Sequence, residues 1–285
     1  MICARSSDGL EPAGEELRRH GVDVVEVHAD VGVAEQAAHV VAEAERRFGR
    51  LDIVVTNAGI IQVAPAQNLT TDDVATAMDV MFWGTVHTTV AAMPLLRRSH
   101  GRLLTITSIG GKLPAPHLLA YGAAKHAAVG FAEGLRIEAA RDGVSVTVAV
   151  PGLMRTGSTR NALFAGDLAA ERRWFTIAAS LPVVSMDAER AAGRLVRATL
   201  RGRPEVILTP LAKIGARTHA LAPSTTLRAL TVVNRLLPGP ADATGSEPGY
   251  RSGPQPRWFL RITRMDRAAA ARWHEYDDPA EAESR

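Results

Sequence analysis

Residues 103–125 read Leu-Leu-Thr-Ile-Thr-Ser-Ile-Gly-Gly-Lys-Leu-Pro-Ala-Pro-His-Leu-Leu-Ala-Tyr-Gly-Ala-Ala-Lys. The apolar run Leu103-Leu104-Thr105-Ile106 leads into Thr107-Ser108, which predicts a strand that delivers a serine hydroxyl at its end. Tyr121 and Lys125 lie four apart in a helical pattern, so their side chains share one face and can serve one site. A phenol titrates near ~10 and is a weak acid–base catalyst at neutral pH. An ammonium one turn away favours the phenolate and brings that value down. Of the 33 basic residues only Lys112, Lys125 and Lys213 are lysines, so an arginine-rich chain has kept a lysine here. A planar guanidinium does not replace a compact ammonium on a flexible stem. Taken alone, Tyr-x-x-x-Lys also describes a buried tyrosine beside a solvated lysine.

Working outward, strand-like runs at about 24–28, 52–55, 103–107, 145–150 and 205–209 alternate with helical patterns at about 10–19, 34–48, 70–97, 120–141 and 186–201. That alternation predicts an α/β fold, a parallel sheet covered on both faces. Leu51-Asp52-Ile53-Val54-Val55 runs into Thr56-Asn57-Ala58-Gly59; Val24-Val25-Glu26-Val27 leads to Asp30-Val31; Val146-Thr147-Val148-Ala149-Val150 feeds Pro151-Gly152-Leu153-Met154-Arg155-Thr156. With Ser108, Tyr121 and Lys125 these segments, in this order, resemble the short-chain dehydrogenase/reductase family over roughly residues 1–210.

The resemblance implies a Rossmann-like doubly wound sheet and a Ser108-Tyr121-Lys125 catalytic set. It places Asp30 and Val31 at the adenine and Asn57, Ala58 and Gly59 at the adenosine ribose. It places Tyr121 and Lys125 at the nicotinamide ribose, and Pro151, Gly152, Met154 and Thr156 at the nicotinamide carboxamide. It also implies a homo-oligomer, because the helix of Tyr121 and the one before it commonly pack on a second subunit. In one position the chain departs from the family. Where a Val-Asn-x-x-Gly pattern holds a water beside the lysine, this chain has Val80-Met81-Phe82-Trp83-Gly84, and a thioether is a weak acceptor and no donor.

Family members open with a strand and a Thr-Gly-x-x-x-Gly-x-Gly turn whose backbone N–H groups receive the pyrophosphate. Met1-Ile2-Cys3-Ala4-Arg5 instead resembles the end of the second strand. The expectation is an N-terminally truncated member lacking its first β-α unit, with the neighbouring strands either re-paired or separated by a gap of roughly 9–10 Å. Ala4 stands where NAD-preferring relatives carry an acid, and Arg5 and Ser6 follow it. A guanidinium beside a hydroxyl suits a 2′-phosphate, which favours NADP over NAD, with a surface arginine as the alternative.

Composition bounds the rest. With 285 residues, 46% hydrophobic, the chain can bury a sizeable core. A net charge of +3 and no basic-aromatic module argue against nucleic acid. The one cysteine, Cys3, in an apolar strand, reads as a buried thiol and fits a reducing, cytoplasmic setting. The nine histidines show no ligand spacing, so no metal site is expected.

Residues 157–184 read as a substrate loop whose Leu163, Phe164, Trp174, Phe175, Ile177 and Leu181 suit a small hydrophobic alcohol or ketone, or simply pack on their own fold. Ser185 is the expected cap of the next helix. Beyond the Rossmann-type domain of 1–210, residues 211–285 form an extension. It comprises a Pro/Gly-rich linker, 238–256, and a basic amphipathic segment, 257–273, that suits a membrane surface, a partner or its own domain. Asp277 to Arg285 reads as disordered. Together these readings point to an NADP-preferring oxidoreductase acting on a hydrophobic ketone or secondary alcohol. The alternative is a non-catalytic relative serving as a binding or oligomerisation partner.

Overall fold

The computed structural model describes residues 1–182, 184–242, 245–253 and 255–273; Asp277 to Arg285 lie outside them. The first strands are β1 (Ile2–Ala4), β2 (Glu26–His28), β3 (Ile53–Thr56) and β4 (Gln62–Val63). They alternate with α1 (Ser7–Arg19) and α2 (Ala34–Phe48). Next come α3 (Thr71–Ala77), a π-helical stretch Met78–Trp83 and α4 (Gly84–Ser99), so the single helix expected over 70–97 is three pieces. β5 (Arg102–Ile106), α5 (Leu119–Ala139), β6 (Ser145–Val150), β7 (Leu153–Arg155) and β8 (Leu163–Phe164) follow. The remaining elements are α6 (Leu168–Ser180), β9 (Ser185–Asp187), α7 (Ala188–Leu200), β10 (Glu205–Ile207), α8 (Pro210–Leu221), α9 (Pro223–Asn234), β11 (Glu247–Pro248), α10 (Arg257–Ile262) and α11 (Arg264–Arg272).

The main sheet runs β10-β6-β5-β3, all parallel. Strands buried on both faces read as continuous apolar runs, and β6 obeys: Val146, Val148, Ala149 and Val150 are all at or below 1% exposure. The three valines pack with Leu96 of α4 and Val129 and Ala132 of α5. α2 ends on Gly49 at φ 71, the left-handed cap that a residue without Cβ adopts freely. α3 starts with a capping box in which Thr70 and Asp73 exchange side-chain and backbone bonds.

β1 and β2 pair with each other in parallel and form a separate two-stranded sheet. Of the two outcomes expected from the sequence, the second is found: among the described residues no ladder joins β1 to β3, and β3 is an edge of its sheet. Its outward residues Ile53 and Val55 are 41% and 51% exposed. The same openness corrects the expectation for Cys3, which is exposed because no strand lies beyond β1 to cover it.

Three further readings change. The expected loop 157–184 contains β8 and α6, the helix being started by Asp167, whose carboxylate accepts from the Ala170 amide at 3.0 Å. Asp187, not Ser185, caps α7, since the Ser185 hydroxyl donates to the Leu181 carbonyl and accepts from Arg155. Within the expected linker, β11 pairs antiparallel with β8, and β8 pairs parallel with β4. α11 docks on the fold through Asp266 and Ala270, 3% and 4% exposed, so this part of the basic segment packs on its own domain.

Candidate active site

The site begins where β5 ends. Ser108 has extended backbone, φ −163, and its Oγ accepts from the Gly110 amide at 3.1 Å. The next amide, Ile109, donates to the Pro151 carbonyl at 2.8 Å, so the serine turn and the Pro-Gly turn at the end of β6 are tied together. Both lie at the carboxyl ends of parallel strands, where open α/β sheets bind ligands.

α5 packs tightly over this turn. A Cβ on Gly111 would stand 2.7 Å from the Lys125 carbonyl, and one on Gly110 would stand 3.1 Å from Cε1 of Tyr121. Both positions therefore have to lack a side chain for α5 to approach. The approach brings the Tyr121 hydroxyl within reach of Ser108, an interaction that favours the phenolate. Lys125, 5% exposed, reaches across beneath it: Nζ donates to the Ile106 carbonyl at 3.0 Å and stands 5.9 Å from the Tyr121 ring centre. On the far side Nζ faces the Asn57–Gly59 turn, where a Cβ on Gly59 would lie 3.7 Å from it and 3.8 Å from Cγ of Met81. Met81 is thus beside the lysine, 1% exposed, on the π-helical stretch.

The electrostatics differ from the expectation. Burial pushes the Tyr121 phenol up, with the Ser108 bond opposing, while Lys125 is itself lowered to about 8 by burial. The lysine does not lower the tyrosine here, because each group is densely surrounded without a counter-charge and desolvation outweighs their mutual effect. Tyr121 keeps part of its surface open, but its crowded surroundings still govern the direction.

The remaining expected residues fall into two groups. Gly152 is wedged against Thr209, whose Oγ1 would be 2.4 Å from an added Cβ. Thr156 closes a local turn with Ser158, and Met154 packs its side chain on the cluster of Leu104, Ala149 and Leu208, while its backbone lies in β7, which pairs with β9. The second group is at the ends of β1 and β2. Arg5, its side chain 63% exposed, approaches Asp30 at 3.9 Å, while Ser6 caps α1 by accepting from the Asp8 amide at 3.3 Å. Asp30 accepts from the Gly32 amide at 2.8 Å, and Val31 packs on Gly84 at the start of α4.

Two residues were not singled out from the sequence. Glu171 of α6, 0% exposed, has both carboxylate oxygens 2.9 Å from Nδ1 of His117 and accepts from the Trp174 indole at 2.7 Å. His117, at φ 60, stands four residues before Tyr121. No local pattern links residues 54 apart, and the unusual backbone at His117 is not legible in its side chain.

Of the apolar set on 157–184, Phe164 and Phe175 are core, at 0% and 4% exposure. Trp174 and Ile177 instead line a cavity of about 660 Å³ shared with Leu236, Leu237, Pro238 and Trp258. Ser108, Tyr121 and Lys125 do not line it.

A family model described as short chain dehydrogenase matches residues 1–164. The chain is 36% identical over 170 residues to 11-beta-hydroxysteroid dehydrogenase 1A of Arabidopsis thaliana, covering 58% of this chain and 48% of that protein. It therefore spans about half the length of that curated relative. Among solved structures, a short-chain dehydrogenase from Streptomyces avermitilis superposes with TM-score 0.65 at 27% identity, covering 82% of this chain and 88% of the other. ElxO with NADP bound superposes with TM-score 0.51 at 25% identity, covering 54% and 62%.

Proposed function

The chain belongs to the short-chain dehydrogenase family, and we propose that within it this protein is an NADP-preferring oxidoreductase that moves hydride between the nicotinamide and a hydrophobic ketone or secondary alcohol. The observation that carries this reading is the buried Lys125 beneath a Tyr121 whose hydroxyl lies within reach of Ser108. An ammonium has three donors, and this one spends one on the Ile106 carbonyl, which leaves two for ribose hydroxyls. The residues fit the cofactor at that end: Lys125 with Tyr121 would hold the nicotinamide ribose, the Asn57–Gly59 turn the adenosine ribose, and the backbone of Pro151–Thr156 the carboxamide. At the other end Asp30 and Val31 would hold the adenine, with Arg5 and Ser6 on the 2′-phosphate. The preference for NADP rests on Arg5 and on the similarity to ElxO, whose structure holds NADP.

NADP, when bound, supplies or accepts the hydride. In the reductive direction Tyr121 gives its hydroxyl proton to the carbonyl oxygen, and Ser108 holds that oxygen by a hydrogen bond. The Lys125 ammonium offsets part of the desolvation cost of the phenolate that results. Because its pKa is near 8, Lys125 can lose and regain a proton at neutral pH and so recharge the tyrosine. Met81 contributes no donor to that recharging, which argues for slow turnover. We also propose that α4 and α5 meet a second subunit, since Val90 and Ile137 on them are 63% and 77% exposed.

The second reading, a non-catalytic binding partner, draws on the same Met81. NADPH oxidation followed by absorbance over a panel of apolar ketones separates the two. The expected result is turnover in the natural chain and a loss of about 100-fold or more in Tyr121→Phe, with melting unchanged. A chain that melts cooperatively and binds NADPH but turns over none of the ketones, or a Tyr121→Phe variant of full activity, removes the enzymatic reading.

A further inference from the structure

The two helices that leave the main sheet bury almost nothing. α8 buries only Ala212 and Ala216, and α9 has no buried residue. Yet they are rich in large apolar side chains: Leu221 is 87% exposed, Leu236 82%, Ile214 60%, Val232 56% and Leu227 46%. Helices of about 12 residues are marginal in water unless an amphipathic face packs on something. Among the described residues they pack mainly on each other, with α8 also touching the Ile109–Gly111 turn.

Charge says what that something is. From 206 to 241 the chain contains no aspartate or glutamate, while Lys213, Arg217, Arg228 and Arg235 are all exposed in that stretch. Over the whole chain the signs are nearly balanced, with 33 basic and 30 acidic residues. Two helices that mix exposed apolar residues with cations alone match an interface of acyl chains beneath anionic headgroups. There the apolar side chains sink in by roughly 5–10 Å, and Lys and Arg stems reach back to the headgroups. A second copy docked by two-fold symmetry on the same face would set these cations against their own equivalents.

The surface also continues beyond the helices. Leu236 and Leu237, just past α9, share the 660 Å³ cavity with Trp258, itself 51% exposed on α10. The expected basic segment 257–273 is therefore only a flank of this face, since Phe259 and Asp266 tie it to the fold at 2% and 3% exposure.

We infer that the α8–α9 pair and the rim of the neighbouring cavity form a docking face for an anionic lipid surface. The inference is independent of the chemistry at Tyr121 and is read without any assay of turnover. The test is sedimentation of the purified chain with vesicles of mixed phosphatidylglycerol and phosphatidylcholine, against phosphatidylcholine alone. The expected result is binding at least about tenfold tighter to the anionic vesicles, weakening as salt is raised. Combined Lys213→Glu, Arg217→Glu, Arg228→Glu and Arg235→Glu should abolish it, as should Leu221→Asp with Leu236→Asp. Melting should be unchanged in both variants, because all six side chains are exposed. Equal binding to both vesicle types, or none to either, overturns the inference. So does a concentration-dependent dimer that these substitutions dissolve while lipid is ignored, for the face then belongs to a second copy.

Discussion

The two ends of the proposed cofactor site are built by different means. Around Ser108, Tyr121 and Lys125, position is set by contact: glycines at 110 and 111 let α5 approach, and Lys125 is 5% exposed. At the ends of β1 and β2, Arg5 is 63% exposed and touches Asp30 only at 3.9 Å, on a two-stranded sheet with no ladder to β3 among the described residues. On the proposed function, the contrast predicts that chemistry and cofactor choice are separable here. Changes at the first end that disturb its packing should alter both folding and turnover, whereas changes at the second should alter selectivity alone.

The largest effect is expected from Lys125→Met. Folded Lys125 titrates near 8, against 10.5 for the free side chain. Between those values the unfolded chain holds more protons, so stability rises with pH across that window; below about 8 the penalty of a buried ammonium is present in full. The shift corresponds to about 3 kcal/mol, good to roughly half that. The methionine variant should therefore melt higher at neutral pH, show no such rise, and lose turnover by about 100-fold or more. Denaturant titrations at several pH values check the first part. A variant less stable than its parent at pH 7 would mean that the bond to the Ile106 carbonyl outweighs desolvation.

A smaller effect is expected from Gly111→Ala. Its Cβ would meet backbone, the Lys125 carbonyl at 2.7 Å, which cannot swing aside. Displacement of α5 should cost about 1–3 kcal/mol and lower turnover together with stability. Retention of both would show that contact does not set the position of Tyr121.

The smallest effect on the fold is expected from Arg5→Asp. Replacing an exposed guanidinium should leave melting within about 0.5 kcal/mol, while the ratio of NADPH to NADH affinity inverts. Fluorescence titration with both cofactors reads it directly, and an unchanged ratio would detach Arg5 from the 2′-phosphate.

How much of this was legible follows from the range of the interactions. β5, β6 and α5 announce themselves locally, by apolar runs and by a four-residue spacing, and the structure puts them within a residue or two of the expected bounds. α6 did not, because Gly166-Asp167 reads as a turn and its apolar residues divide between core and cavity rather than forming one stripe. β4, β8 and β11 are each two residues long and exist only through pairing across distant segments. The direction of the Tyr121 and Lys125 shifts was missed for a related reason: spacing reveals that two groups are near, but not how much water they have lost.

Glu171 carries a mechanical consequence. One carboxylate is gripped from the segment before Tyr121 by His117 and from its own helix by Trp174. α6 and the segment leading into Tyr121 are thereby a single linkage rather than a hinge and a wall. Displacing the helix without that segment would strand a fully enclosed carboxylate, at a cost of about 1–3 kcal/mol or more. Movement of α6 is accordingly coupled to the segment leading into Tyr121, so the packing of the helix and the setting of that hydroxyl are not independent degrees of freedom.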